Sequence, residues 1–254
     1  MKRLLCAVAG AALAVAGATA AAAAPAADVT SCPVTSGFAH ITSANSGFDV
    51  NNGLRVQNNM WNGSHGPQTL FVNNSNDWGV CSNQPNVGKA VETYPDVEVP
   101  YYRLPAGNAP ISKLTADRSV FAEHMPPAST NYIAEAAYDL WLNNWSIEVM
   151  IWTDNHGQVP FGHQVGTASI FGQNFAVWQS GTDAFAFVLD HNEQSGTVHI
   201  LSTLKWLQNH GKIGASATIT SAQFGWEVCV TNGQNLPFYM GQYSNTTLPV
   251  QYQP

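Results

Sequence analysis

The stretch that decides the fold reads Trp145-Ser146-Ile147-Glu148-Val149-Met150-Ile151-Trp152. On a β-strand, successive side chains point to opposite faces. Ile147, Val149 and Ile151 then share a face that suits a core between two sheets, and Glu148 shares the other face with Met150 and Trp152. A lone acid between a Met and a Trp is unusual for a solvated face, so this pattern predicts a groove with an aromatic floor.

A second stretch repeats the pattern near the end of the chain, from Phe224 to Thr231. Trp226, Val228 and Val230 share one face, whereas Glu227 shares the other with Gly225 and Cys229. A carboxylate among apolar neighbours is costly unless it has a partner or faces a cleft.

Short apolar runs rich in Val, Ile, Phe, Tyr and Trp, separated by Gly, Asn, Ser and Pro, dominate the rest of the chain. This pattern predicts an all-β sandwich or jelly roll. The predicted strands are Leu54–Asn59, Thr69–Val72, Tyr132–Leu142, Ile147–Thr153, Gly166–Phe171, Phe175–Gln179, Ala184–Leu189, Ser216–Thr220 and Phe224–Thr231.

One helix is predicted, capped by Ser202 or Thr203 and ended by Gly211. The Pro-rich segment 97–110 is interpreted as an irregular loop. Trp178 and Trp206 are predicted to lie in the core.

The start of the chain is typical of a secretory signal peptide. Lys2 and Arg3 precede a long apolar Ala-rich run that ends in small residues. A membrane anchor is the alternative interpretation, but the run is only weakly hydrophobic and ends at a cleavable sequence. We therefore expect a signal peptide over residues 1–27, one domain over 28–254, and a secreted, extracellular protein.

Charge and cysteine content bound the partners and the redox state. Without residues 1–27, seven basic and sixteen acidic residues remain, a net charge near −9, which argues against binding nucleic acid or an anionic membrane. Three cysteines remain, of which two should pair in an oxidising compartment. We predict the pair Cys32–Cys81, which lie in loop-like surroundings, and a buried free thiol at Cys229.

The two isolated acids, Glu148 and Glu227, suggest the chemistry of a glycosidase. Breaking a glycosidic bond uses one carboxylate at the sugar carbon and one carboxylic acid that protonates the leaving oxygen. The pKa values of the two groups must be driven apart by their surroundings. The alternative is that both are ordinary surface residues of an exposed sheet, and the strand pattern alone leaves that alternative open.

At these residues the chain resembles glycoside hydrolase family 12, small secreted endoglucanases with a β-jelly-roll fold. Five ordered segments carry the resemblance: Val56-Gln57-Asn58-Asn59-Met60-Trp61, Thr93-Tyr94-Pro95, Ala137-Tyr138-Asp139-Leu140-Trp141, Glu148-Val149-Met150-Ile151-Trp152 and Phe224-Gly225-Trp226-Glu227. The resemblance implies a sandwich of two antiparallel sheets with one short helix and a concave substrate cleft.

The resemblance also implies roles for individual residues in a retaining endo-β-1,4-glucanase. Glu148 would be the nucleophile, Glu227 the general acid/base, and Asp139 a support for Glu148. Asn59 and Trp61 would hold a glucosyl unit, and Met150 and Trp152 would line the groove. The two catalytic carboxyl groups of a retaining pair are expected about 5–5.5 Å apart.

One segment departs from the family pattern, because Pro95 leads into Asp96–Arg103 without the Cys-containing His-Trp-Gly segment of many bacterial members. We expect this segment to border the cleft. It keeps open a hydrolase specific for xyloglucan or mixed-linkage β-glucan, and a non-catalytic carbohydrate-binding sandwich is a further alternative.

The sequence points to a monomer that binds a β-glucan polysaccharide and needs neither cofactor nor metal. None of the eight histidines lies in an H-x-H or H-E-x-x-H spacing.

Overall fold

A computed structural model describes residues 31–32, 37–105, 107–115 and 118–246. The predicted signal peptide lies outside the described residues. Within them the chain forms sixteen strands and one α-helix.

The first eight strands are β1 His40–Thr42, β2 Gly47–Asp49, β3 Arg55–Gln57, β4 Gln68–Asn74, β5 Asp77–Ser82, β6 Asp96–Val99, β7 Ala109–Pro110 and β8 Ser119–His124. The others are β9 Ile133–Leu142, β10 Ile147–His156, β11 His163–Ile170, β12 Gln173–Ser180, β13 Ala184–Leu189, β14 Ser195–Val198, β15 Thr218–Val230 and β16 Leu236–Asn245, with helix α1 at Ile200–Asn209 between β14 and β15.

The strands form two sheets packed face to face, as the predicted jelly-roll sandwich requires. Six strands make one sheet in the order β1-β4-β5-β16-β8-β14, and the other runs β11-β12-β13-β10-β9-β15-β6-β3-β2, with β7 paired to β15. Alternate residues of β9, β10 and β15 enter the core between the sheets, among them Tyr138, Val149 and Trp226. The intervening residues point to the outer face of the larger sheet.

One strand pair differs from the expected all-antiparallel arrangement, because β10 and β13 are parallel. The chain leaves β10 through residues 157–162, enters the sheet edge at β11, and returns through β12 to β13. Such an excursion allows parallel neighbours without a helix between them.

Three local predictions were wrong. The runs Ser216–Thr220 and Phe224–Thr231 form one strand, β15, and part of the Pro-rich segment forms β6, with Val97 buried in the core. Helix α1 starts at Ile200, so Thr203 lies inside it and its hydroxyl bonds to the His199 carbonyl oxygen at 3.0 Å.

Two predicted core tryptophans, Trp178 and Trp206, are half-buried and pack against the edges of the apolar clusters. Trp78 and Trp226 are the tryptophans with no exposed surface, and their rings lie 5.1 Å apart. A fully extended β15 explains this outcome, because it places Trp226 at the centre of the interface between the sheets.

Cys32 and Cys81 form a disulfide, and Cys229 is a buried free thiol. The disulfide joins the start of the described chain to β5, beside Phe38 and Phe71. Among the described residues, no helix is long and apolar enough to cross a membrane.

Candidate active site

A cavity of about 530 Å³ opens on the outer face of the larger sheet. The residues that line it come from β3, β6, β9, β10 and β15, from the segments that follow β3, β6 and β9, and from the segment just before β6. They are Gln57, Asn59, Trp61, Tyr94, Glu98, Tyr102, Asp139, Trp141, Trp145, Glu148, Gln223 and Glu227. Five of the seven predicted catalytic and substrate-binding residues therefore lie together at one site.

Strand register places the three acids on the outer face. Asp139 on β9 lies opposite Met150 on β10 and opposite Gln223 on β15. On β10, Glu148 is the outward-facing residue next to Met150. On β15, Glu227 is the second outward-facing residue after Gln223. Asp139 thus sits between the two glutamates in the sheet.

A close backbone approach fixes the Glu227 strand. A Cβ atom on Gly225 would lie 1.9 Å from the Pro95 carbonyl oxygen, so only glycine fits there. The Trp226 amide donates to the same oxygen at 3.2 Å. Gly225 and the Tyr94-Pro95 turn therefore hold β15 against β6, immediately before Glu227.

The pKa values of Glu148 and Glu227 are both raised. Burial, then the charge of Glu227, then that of Asp183 raise the pKa of Glu148 to about 7. Burial raises the pKa of Glu227, and a hydrogen bond from Glu135 opposes that change. Two carboxyl groups that repel one another in this way hold one proton between them over a wide pH range.

Asp139 is almost fully buried and accepts a hydrogen bond from the Trp141 indole at 2.8 Å. Burial and the charges of Glu148 and Glu227 raise its pKa well above the ordinary value, against the lowering effect of the Trp141 bond. Asp139 therefore interacts with both glutamates through charge, and among the described residues the Trp141 indole donates a hydrogen bond to it.

The wall formed by β3 and β6 is a network of amides and acids. Gln57 donates to Asp96 and Glu98, and Asn59 donates to Asp96 at 3.2 Å. Glu98 also accepts from Ser221 at 2.7 Å and from the Tyr102 hydroxyl at 3.3 Å. This network fixes the orientation of the Asn59 side chain in the cavity.

Exposed aromatic rings stand at the cavity rim. Trp61 is 59% exposed and Trp145 is 47% exposed. Trp145 lies within 6 Å of both Trp141 and Tyr102, and it follows Asn143 and Asn144 in a turn where all three residues have positive φ. Such backbone conformations are unfavourable for a tryptophan and are found more often at functional sites.

Two predicted groove residues do not line this cavity. Met150 and Trp152 share the outer face with Glu148, as predicted, but they are 1% and 2% exposed. Trp178 and Phe161 pack against them, so this cluster forms a second, small core beside the cavity and not an exposed sugar platform.

Sequence reasoning missed several cavity residues, namely Gln57, Tyr94, Glu98, Tyr102, Trp141, Trp145 and Gln223. The alternation Asp96-Val97-Glu98-Val99 carried the signal for two outward acids on a strand, although the nearby prolines favoured a loop. The predicted proximity of the Asp96–Arg103 segment to the cleft is confirmed by Glu98 and Tyr102. Among the described residues, no cluster of His, Cys, Asp and Glu could hold a metal ion.

Comparison with known proteins identifies the family. The profile described as Glycosyl hydrolase family 12 matches residues 52–246, about three quarters of the chain.

The chain belongs to glycosyl hydrolase family 12.

Solved structures of family 12 proteins share its fold. A family 12 xyloglucanase from Bacillus licheniformis, in complex with a ligand, has 23% identity and a TM-score of 0.71, covering 81% of this chain and 98% of its own. Endoglucanase cel12A from Rhodothermus marinus has 20% identity and a TM-score of 0.71, covering 81% and 97%. The xyloglucanase domain of NopAA from Sinorhizobium fredii, in complex with cellobiose, has 27% identity and a TM-score of 0.69, covering 80% and 98%. This family 12 chain is therefore a glycoside hydrolase of the endoglucanase and xyloglucanase group.

Proposed function

We propose that this protein is a secreted, endo-acting β-1,4-glucanase that works by a retaining double displacement. The observation that carries the proposal is the pair Glu148 and Glu227, which line one cavity. Burial raises the pKa of both groups, and the charge of Glu227 raises that of Glu148 further. The cavity is open to solvent on the sheet face, which suits cleavage within a long chain.

In the first step, the ionised Glu148 carboxylate attacks the anomeric carbon while Glu227 transfers its proton to the leaving glycosidic oxygen. In the second step, the Glu227 carboxylate takes a proton from a water molecule, whose oxygen displaces Glu148 from the sugar. The pair begins and ends the cycle with one proton.

Asp139 supports this cycle by its position and by remaining neutral. Because it lies between the two glutamates, its ionisation would favour protonation of both. Burial keeps its pKa high, so Asp139 stays neutral while Glu148 acts as a nucleophile. The Trp141 indole holds the orientation of the Asp139 carboxyl group.

Substrate recognition is assigned to Asn59 and Trp61 on the β3 side of the cavity. An exposed indole can stack on the apolar C–H face of a pyranose ring, and the orientation of Asn59 is set by Asp96. Tyr102 and Trp145 offer a second aromatic surface on another side of the cavity.

Xyloglucan is a second candidate substrate. Two family 12 proteins with this fold are named as xyloglucanases. In this chain the divergent Asp96–Arg103 segment supplies Glu98 and Tyr102 to the cavity wall, which is where a branched chain would meet the protein. A non-catalytic sandwich is disfavoured by membership of a hydrolase family.

The test compares the parent with Glu148→Gln on carboxymethylcellulose, barley β-glucan, xyloglucan and xylan. We expect the parent to cleave the β-1,4-glucans and the variant to bind them without cleaving them. Asp190→Asn is the matched control, since Asp190 is exposed and outside the cavity lining. A parent that binds glucan but never cleaves it would support the binding-module alternative.

Secretion is tested separately by expressing the full chain in a secreting bacterial host. We expect mature protein in the medium with its N-terminus near residue 28, and retention in the cell when residues 1–27 are removed. Full-length protein retained in the membrane would support the anchor alternative.

A further inference from the structure

A fourth acid, Glu135, lies on the outer face of β9 directly opposite Glu227 on β15. Its side chain has no exposed surface. Within the described part of the chain, neither of its carboxyl oxygens is paired with an amide, hydroxyl, indole or cationic donor, so the acid opposite it, Glu227, is the neighbour left to share a proton with. An ionised carboxylate in such a place would be strongly destabilising, because no cation or donor replaces the lost water.

The contact between Glu135 and Glu227 requires a proton. Two ionised carboxylates can only accept hydrogen bonds, so a bond between two carboxyl groups forms only when one is protonated. Burial, the charge of Glu227 and the hydrogen bond to it raise the pKa of Glu135 well above its ordinary value, whereas the same bond lowers the pKa of Glu227. Glu135 has no exposed surface, whereas Glu227 reaches the cavity and can ionise there, so Glu135 is the donor and Glu227 the acceptor.

We propose that Glu135 is a positioning residue that keeps its proton throughout the reaction and donates a hydrogen bond to Glu227, stabilising the ionised form of Glu227. This inference rests on the proposed role of Glu227 as the acid/base. It adds a residue to the site that does not line the cavity and touches no substrate.

The consequence differs between the two steps of the reaction. When Glu227 gives its proton to the leaving oxygen, a carboxylate appears in a largely buried place. A neutral Glu135 hydroxyl bonded to that carboxylate makes a charge-assisted hydrogen bond, which is stronger than the bond to neutral Glu227. Glu135 thus assists proton release in the first step, whereas in the second it keeps Glu227 ionised but makes it a weaker base, and its own proton is not consumed.

Other titratable groups also face Glu227, and they are the same in the parent and in the Glu135 variants. They are Asp139 on β9, Glu148 on β10, Tyr94 before β6 and Cys229 on β15. Burial raises the pKa of the Cys229 thiol, and burial followed by the charges of Asp139, Asp96 and Glu227 raises that of Tyr94. Both groups therefore stay neutral where the enzyme works.

The test uses Glu135→Leu, which removes the donor, and Glu135→Gln, which keeps a donor without a titrating proton. The pH dependence of kcat/KM and the ¹³C-carboxyl NMR titration of Glu227 are measured for both. We expect Glu135→Leu to move the alkaline limb of the profile and the Glu227 titration upward by about one pH unit or more, the effect of losing one charge-assisted bond. Glu135→Gln should stay closer to the parent.

The matched control is Glu123→Gln. Glu123 is a buried acid on β8, and it accepts a hydrogen bond from the Trp226 indole at 2.8 Å inside the core. It neighbours the same strand from the opposite face, so replacing its carboxyl group should leave the titration of Glu227 unmoved.

An unchanged Glu227 titration in folded Glu135→Leu would overturn the proposal. If that variant does not fold, the parent alone decides, because the ¹³C signal of Glu135 must remain that of a neutral acid through pH 7. Ionisation of Glu135 near pH 4.5 would also overturn it. The NMR titration needs no turnover, so it separates failure of this inference from failure of the proposed function.

Discussion

The two faces of β15 follow opposite physical rules. Trp226 and Val228 point inward to a core without exposed surface, where apolar burial stabilises the fold. Gly225 and Glu227 point outward, where a glycine permits a close backbone contact and an acid interacts with three others. Neighbouring residues on one strand therefore serve stability and chemistry separately, and substitutions should separate the two properties.

The largest effect is expected on the outer face. Glu148→Gln should lower kcat by about 10⁴-fold or more, since the attacking carboxylate is lost. Its melting temperature should equal or exceed that of the parent, because an acid is removed from a half-buried site beside other acids. Steady-state kinetics on β-glucan and thermal unfolding at pH 6 measure both. A variant with parent-like kcat would show that Glu148 is not the nucleophile.

The inner face gives the converse result. Trp226→Ala should destabilise the fold by about 3–5 kcal/mol, the typical effect of removing a buried tryptophan. It also leaves the buried Glu123 without its indole donor. Urea unfolding measures the loss, and Glu227→Gln, one residue along the chain, is the control that should change activity and not stability. Equal destabilisation by both variants would contradict the division between the faces.

The core-facing pattern was the predictable part of the molecule. Alternation of Ile147, Val149 and Ile151 identified the interior face because apolar burial imposes a period of two on a strand. The same pattern identified Glu148 and Glu227 as outward acids. The sequence did not predict that β15 is continuous, since Ser221 and Gln223 resemble turn residues and become strand residues only through pairing with β9.

The cavity walls were less predictable, because they depend on which strands become neighbours. Glu98 and Glu135 are far apart in sequence from β15, and only the order β9-β15-β6 brings Glu98 opposite Gln223 and Glu135 opposite Glu227. The burial of Met150 and Trp152 has a similar origin, since Phe161 and Trp178 arrive from the distant β10–β11 segment and from β12. The alternation along a strand predicts which face of the sheet a side chain occupies. It does not predict which distant residues pack over that side chain.

The many buried acidic side chains predict that the fold is more stable at low pH. Burial raises the pKa values of Asp96, Glu98, Glu123, Glu135, Asp139, Glu148, Asp154 and Glu227. A group whose folded pKa is raised stabilises the fold fully below its unfolded pKa and loses that effect as pH rises through the folded value.

The melting temperature should therefore fall by about 3 °C or more between pH 5 and pH 8. This pH range includes the pKa of Glu148, which is about 7. The pKa values of Asp49 and Asp190 are lowered, but both are exposed and their opposing effect is small. A melting temperature that rises from pH 5 to pH 8 would contradict this account of the outer face.

The same groups set the pH dependence of activity. Since catalysis needs one proton on the pair, activity should peak below pH 7 and fall as pH rises through the higher pKa of the pair. The kcat/KM profile on β-glucan from pH 3 to pH 9 measures this, and a maximum above neutral pH would contradict it.

The smallest effect is expected at the cavity rim. Trp61→Ala should raise KM for β-glucan about tenfold, since the loss of one stacking surface removes roughly 1–1.5 kcal/mol of binding. Stability should be unchanged, because 59% of the Trp61 side chain is already exposed. Trp206→Ala is the control, as Trp206 lies outside the cavity lining. Equal KM values for Trp61→Ala and the parent would remove Trp61 from the substrate site.

The most direct test of the central claim is to trap the covalent intermediate on Glu148. The enzyme is incubated with an activated 2-deoxy-2-fluoro-cellobioside, digested, and analysed by peptide mass spectrometry. The account predicts one added fluorocellobiosyl group, located on Glu148 and absent from Glu148→Gln. A label on a different residue, or continued turnover of glucan with no covalent adduct, would contradict it.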